Sequence, residues 1–99
     1  MNNNEKIKRY MSASMIYEME KKGITYGMLA KRLGIKNIKR NMLSVKHNWT
    51  IKTISAICEM IEINPIIILN YGDTISKFTT DELNKYISIL EQIDSYNNK

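Results

Sequence analysis

Ninety-nine residues are enough for one hydrophobic core and too few for two. A composition of 43% hydrophobic and 25% charged residues is that of a soluble globular domain, and a single cysteine excludes an intramolecular disulfide. The absence of a secretory leader and of an apolar run long enough to cross a bilayer makes a reducing cytoplasm the expected location and excludes a membrane partner.

Charge is unevenly spread along the chain. Residues 1–49 hold 11 Lys/Arg against 3 Glu, a net of +8, whereas residues 50–99 hold 4 Lys against 7 acids, a net of −3. A polyanion is drawn to the first half and turned away by the second.

After a loose polar start at Met1 to Asn4, Ile7, Met11, Met15 and Met19 recur at i+4 with Tyr10 and Ile16 beside them. That pattern predicts a helix over 5–22 ending at Gly23. The methionines read as core filler, since thioethers pack irregular gaps. Lys6, Lys8 and Arg9 read either as phosphate contacts or as a solvated helix start.

Thr25 stands where an N-cap belongs, and Leu29, Ala30 and Leu33 give the stripe of a second helix, closed at Gly34, where glycine reaches the left-handed region without Cβ strain. The small Ala30 permits a following helix to cross closely. That third helix, over 37–46, places Ile38, Met42 and Val45 on one side of a wheel at about 100° per residue. Lys36, Asn37, Arg40, Ser44 and His47 fall on the other, and no acidic residue occurs between Glu20 and Glu59. Lys and Arg neutralise phosphates, while Asn and Arg can pair with base edges in a major groove. An ordinary solvated face has the same composition.

Thr50 caps a fourth helix over 51–62 with a buried stripe of Ile51, Ile54, Ile57 or Cys58, and Ile61. Trp49 reads as a lid on the core, with stacking on a base as the alternative. Asn64 and Pro65 start a short fifth helix, 65–71, closed by Gly72; a strand is the alternative for its Ile-rich run. A linker over 73–79 leads to a last helix opened by a capping box, Thr79 with Glu82. Its stripe is Leu83, Tyr86 or Ile87, Leu90 and Ile93. It either closes over the chain's own core or pairs with its twin in a second subunit. The surplus apolar surface of the fifth helix favours the dimer, with Ile66, Ile67, Leu83, Ile87 and Leu90 at the interface.

Three stretches carry a resemblance: GIT at Gly23 to Thr25, LAKRLGI at Leu29 to Ile35, and NWTIKTISAICEMIEINP at Asn48 to Pro65. Over residues 11–69 the chain resembles the lambda-repressor-like, Cro/C1-type (XRE family) helix-turn-helix domain of phage and bacterial regulators. The resemblance implies an all-α fold, a compact five-helix domain over 1–72 with a C-terminal amphipathic helix in 73–99. It also implies a third helix set in the major groove of double-stranded DNA and a homodimer on a palindromic operator. One departure matters: the family pattern expects apolar residues at Arg40 and Leu43, whereas the wheel buries Ile38, Met42 and Val45. An unpaired buried arginine is costly, so the wheel is preferred, with a shortened turn before the helix. The register of the DNA-facing residues is then set only to within one or two positions.

On this reading Asn37, Lys39, Arg40, Asn41 and Ser44 are the base-contact residues, and Tyr26, Lys31, Lys46, His47, Asn48 and Lys52 position phosphates. The function expected is a sequence-specific transcriptional regulator, acting as a repressor. The alternative is a protein-binding adaptor of the antitoxin or phage-inhibitor kind, using the same fold as scaffold. No enzyme is expected: one His and one Cys do not complete a metal site, four scattered glycines make no phosphate loop, and no residue has the context of an activated nucleophile. Neither a cofactor nor a small-molecule ligand is called for.

Overall fold

The computed structural model describes residues 1–47 and 49–98 and contains no strand among them. The chain forms α1 (Asn3–Lys22), α2 (Tyr26–Leu33), α3 (Ile38–Leu43), α4 (Ile51–Met60), α5 (Pro65–Leu69), α6 (Tyr71–Ser76) and α7 (Thr80–Asn97). Five of these starts have local causes written in the sequence. Asn2, Thr25, Thr50, Asn64 and Thr79 each accept a hydrogen bond from a backbone N–H of the first turn, which satisfies donors that a helix leaves open. At Asn2 with Glu5, and at Thr79 with Glu82, the capping box is complete. Gly23 and Gly34 end α1 and α2 at φ 69° and 67°, the left-handed backbone that a Cβ would strain.

α1 is the spine. Its middle is buried on every side, from Ser12 to Tyr17, because α3, α5, α6 and α7 all pack on it. α7 lies antiparallel to it, as the paired side chains show. The Arg9 guanidinium donates to both carboxylate oxygens of Asp94 at 2.6 and 2.7 Å. Farther along, the Tyr86 hydroxyl donates to the Tyr10 carbonyl at 2.8 Å. Its single proton is thereby used, so Ser14, 2.8 Å away, donates to it. Tyr17 donates to Glu82 at 3.2 Å. Tyr17, Phe78 and Tyr86 form a tilted aromatic cluster with centroids 4.9 to 6.2 Å apart. Burial pushes the Tyr86 hydroxyl up to about 12, consistent with a phenol held neutral in the interior.

Several expectations change. Of the repeat Ile7, Met11, Met15 and Met19, the last two are buried and Met11 packs on the core, but Ile7 does not share their face. Steps of four advance about 40° beyond a full turn, so the i+4 series drifts, and Ile7 ends exposed while Lys8 and Ser12 are buried beside Met15 and Met19. Ile51, assigned to a buried stripe, is 83% exposed because the first turn of α4 projects past the core edge; Ile54, Ile57, Cys58 and Ile61 are buried. α3 is shorter than the span of 37–46. The stretch 73–79 is not a linker: Gly72 is not left-handed, and α6 follows α5 with Asn70 as the shared cap residue. The Thr74 hydroxyl is within hydrogen-bond reach of the Ile67 and Asn70 carbonyls, and Tyr71 stacks on Tyr10 at 5.1 Å.

On α7 the buried residues are Tyr86, Ile89 and Ile93, with Leu90 half-buried and Leu83 and Ile87 exposed. Tyr86 rather than Ile87 therefore continues the stripe. That face closes the chain's own core against α1. Of the residues assigned to a dimer interface, Ile66, Ile67, Leu83 and Ile87 are exposed and Leu90 leans on the core.

Candidate nucleic-acid interface

α3 has six residues, too few to hold a helix unaided in water. It persists because Ile38, Met42 and Leu43 are buried on its inner side, with Val45 just beyond. The wheel's three residues are thus in the core, and Leu43 joins them as the family pattern expects, while Arg40 is exposed as the wheel requires. Three residues separate Gly34 from the helix start, and Ile35 within that turn packs on the core.

The outer side presents Lys36, Asn37, Lys39 and Arg40, all exposed. They line a shallow groove with Tyr26 and Ala30 of α2 and Tyr96 of α7. The Lys39 ammonium lies 5.9 Å from the centre of the Tyr26 ring, a cation–π distance, and burial pushes the Tyr26 hydroxyl up to about 12. α2 and α3 thus bring five of the named residues together: Tyr26, Lys36, Asn37, Lys39 and Arg40. Lys46 and His47 are exposed in the turn that follows α3.

Other assigned residues stand elsewhere. Asn41 is half-buried, and its Oδ1 is buried with no hydrogen-bond partner among the described residues; it points away from any duplex on the outer side. Ser44 is half-buried, its hydroxyl accepting from the Lys46 N–H at 3.3 Å and its carbonyl from Lys8 at 3.1 Å. Both belong to the machinery that ends α3 rather than to its exposed edge. Lys31, late in α2, and Lys52, in the first turn of α4, are exposed but do not line the groove. Asn48 lies outside the described residues.

Sequence reasoning missed Tyr96, placed here by the packing of α7, and the true position of Lys8. That lysine is 7% exposed. Its ammonium donates to the Asn41 carbonyl at 2.7 Å, to the Ser44 carbonyl at 3.1 Å and to the Ser12 hydroxyl at 3.1 Å. It also sits 3.8 Å from the centre of the Trp49 ring. Burial pushes it down to about 7, because an ion loses more than a neutral amine on leaving water. Trp49 is half-buried and packs on the core, in keeping with a lid. The spacing Lys8, Ser12, Met15, Met19 was the one available signal, since i, i+4, i+7, i+11 follows a helix face more closely than strict steps of four.

Cys58 is buried, and burial pushes its thiol up to about 11, so it is held as the unreactive thiol. No group of three or more His, Cys, Asp or Glu suited to a metal ion occurs among the described residues, and no helix there is long and apolar enough to cross a membrane.

What the fold and this face define is a compact all-helical module carrying a short cationic helix at its surface. Compared with known proteins, the chain matches no family model, no curated protein and no solved structure.

Proposed function

We propose that the protein is a sequence-specific double-stranded DNA-binding regulator of the Cro/C1 helix-turn-helix type, acting as a repressor and without enzymatic activity. The observation that carries the reading is the outer edge of α3. Lys36 and Asn37 in the turn before α3 and Lys39 and Arg40 on it are exposed together, and the opposite side of that helix is in the core, in a segment without an acid between Glu20 and Glu59. Cations on such an edge neutralise phosphates, and a helix is the element that fits a major groove. Asn37, Lys39 and Arg40 are the base-reading residues on this proposal, with Lys46 and His47 on phosphates. A homodimer on a palindrome, with half-sites about one helical turn apart, is the arrangement that similar domains use.

Selection from a random duplex pool at about 150 mM salt, where non-specific contacts are weak, tests the reading. An enriched palindrome is the expected result. Sequence-blind binding that vanishes with salt would overturn it.

A second reading has its own observation. Ile66 and Leu69 are 57% and 56% exposed, and Ile67 is exposed beside them, an apolar edge on α5 that suits a protein partner. As an adaptor, the protein would bind through this edge with little response to salt.

A further inference from the structure

α3 lacks a side-chain cap at its start: Asn37 makes no capping bond. Its exit is held instead by two residues from distant parts of the chain. From α1, Lys8 reaches the Asn41 and Ser44 carbonyls at 2.7 and 3.1 Å. From the last turn of α7, the Asn97 side chain donates to the Leu43 carbonyl at 2.9 Å and accepts from the Val45 N–H at 3.0 Å. The same Asn97 amide donates to the Ile93 carbonyl at 2.7 Å within its own helix, which fixes its rotamer. The Asn41 and Leu43 carbonyls left open at the end of α3 are thereby satisfied, the Ser44 carbonyl gains a second donor beside the His47 N–H at 3.4 Å, and the protonated amine lies where the helix dipole is negative.

We propose that Lys8 and Asn97 are positioning residues for the cationic edge of α3: an ammonium from α1 and an amide from α7 clamp the helix from behind and set the angle at which Lys39 and Arg40 meet a duplex. Neither residue touches the ligand. The proposal rests on the DNA-binding reading for its consequence, though not for the clamp itself. Around the Lys8 ammonium, α1 supplies Ser12, α3 supplies Asn41, the residue after it supplies the Ser44 carbonyl, and the segment before α4 supplies Trp49. All are uncharged, so the clamp works through hydrogen bonds and the dipole rather than through an ion pair. The face of the Trp49 ring lies 3.8 Å from the ammonium, a cation–π contact.

The test compares the wild type with Lys8→Met, which keeps the aliphatic stem without donors, with Asn97→Ala, and with Ile57→Val, a core change away from α3. Two readouts are taken at a temperature where each variant is folded by circular dichroism. The first is hydrogen exchange of the α3 amides and of Val45 in the free protein. The second is binding at about 150 mM salt to a duplex bearing the enriched sequence and to a scrambled one. Lys8→Met and Asn97→Ala should speed exchange in α3 and lower affinity for the enriched duplex by roughly tenfold, the size of one lost hydrogen bond. Binding to the scrambled duplex should stay within about twofold, because phosphate contacts tolerate a tilted helix. Ile57→Val should change neither. Unchanged α3 exchange in both variants would overturn the clamp. Faster exchange with unchanged selectivity would overturn the positioning role. A wild type that prefers no duplex would overturn the DNA-binding reading and the positioning role with it, while the exchange data still decide the clamp. Should Lys8→Met not fold, Asn97→Ala carries the same comparison.

Discussion

Lys8 is the residue whose surroundings differ most from what its sequence position implies. Its ordinary pKa is 10.5, and burial in the fold pushes it down to about 7. Between about 7 and 10.5 the unfolded chain therefore binds more protons than the folded one, so this group makes stability rise with pH across that window. Below 7 both states hold the proton and its contribution is flat. Cys58, raised to about 11 from 9.0, works in the opposite sense above pH 9. Denaturant titrations at pH 7, 8 and 9 should thus show rising stability in the wild type and a flatter profile in Lys8→Met. The neutral amine still fits its site, donating to the Asn41 and Ser44 carbonyls and accepting from the Ser12 hydroxyl. Arg40 belongs to the opposite, exposed side of α3. Arg40→Ala should cost about 1 to 3 kcal/mol of binding and relax preference at one base position if Arg40 reads a base. An equal loss on all sequences would assign it to phosphate.

Helix starts were legible because capping is local. Thr25, Thr50, Asn64 and Thr79 each bond within three residues of themselves, so nothing distant can alter the outcome. Thr79→Ala should destabilise the protein by about 1 kcal/mol, read from the shift in denaturation midpoint. Helix ends and faces were less legible. Gly72 was read as a stop, but a glycine stops a helix only where the chain turns left-handed, and packing of Tyr71 on Tyr10 carries the chain on into α6. On α1 the methionines do fall in or against the core, but Ile7 does not, because a four-residue repeat looks periodic over two turns and drifts over five. α3 was drawn too long because its last turn is cut off by the Lys8 and Asn97 bonds, which originate 36 and 54 residues away at their farthest.

α7 ties the two oppositely charged halves together. Its Tyr86, Ile89 and Ile93 are each at most 1% exposed, so Ile89→Ala should cost about 2 to 5 kcal/mol. A helix used only for association would tolerate the change at low protein concentration, and a melt at several concentrations separates the two cases. Of the acids on α7, Asp94 is engaged by Arg9, and Glu91 shares a surface groove with Lys39 of α3. With Lys39 and Arg40 on bases, Lys36 and Lys46 on phosphates would give a logarithmic salt slope of about −2 per chain, at roughly −0.9 per phosphate neutralised. Binding through the Ile66 to Leu69 edge would give a slope near zero.

The order of caps, glycines and apolar repeats determined that the chain is all-helical, where most helices begin, and which of them carries the exposed cations, because each depends on residues within one or two turns. Tertiary packing decided the rest. It turned Lys8 and Ser12 inward, left Ile51 and Ile87 outside, withdrew Asn41 and Ser44 from the edge of α3, and brought Asn97 to its end. These outcomes depend on where helices far apart in the chain cross, and a hydrogen bond from α1 or α7 to α3 leaves no periodic trace in the residues between them.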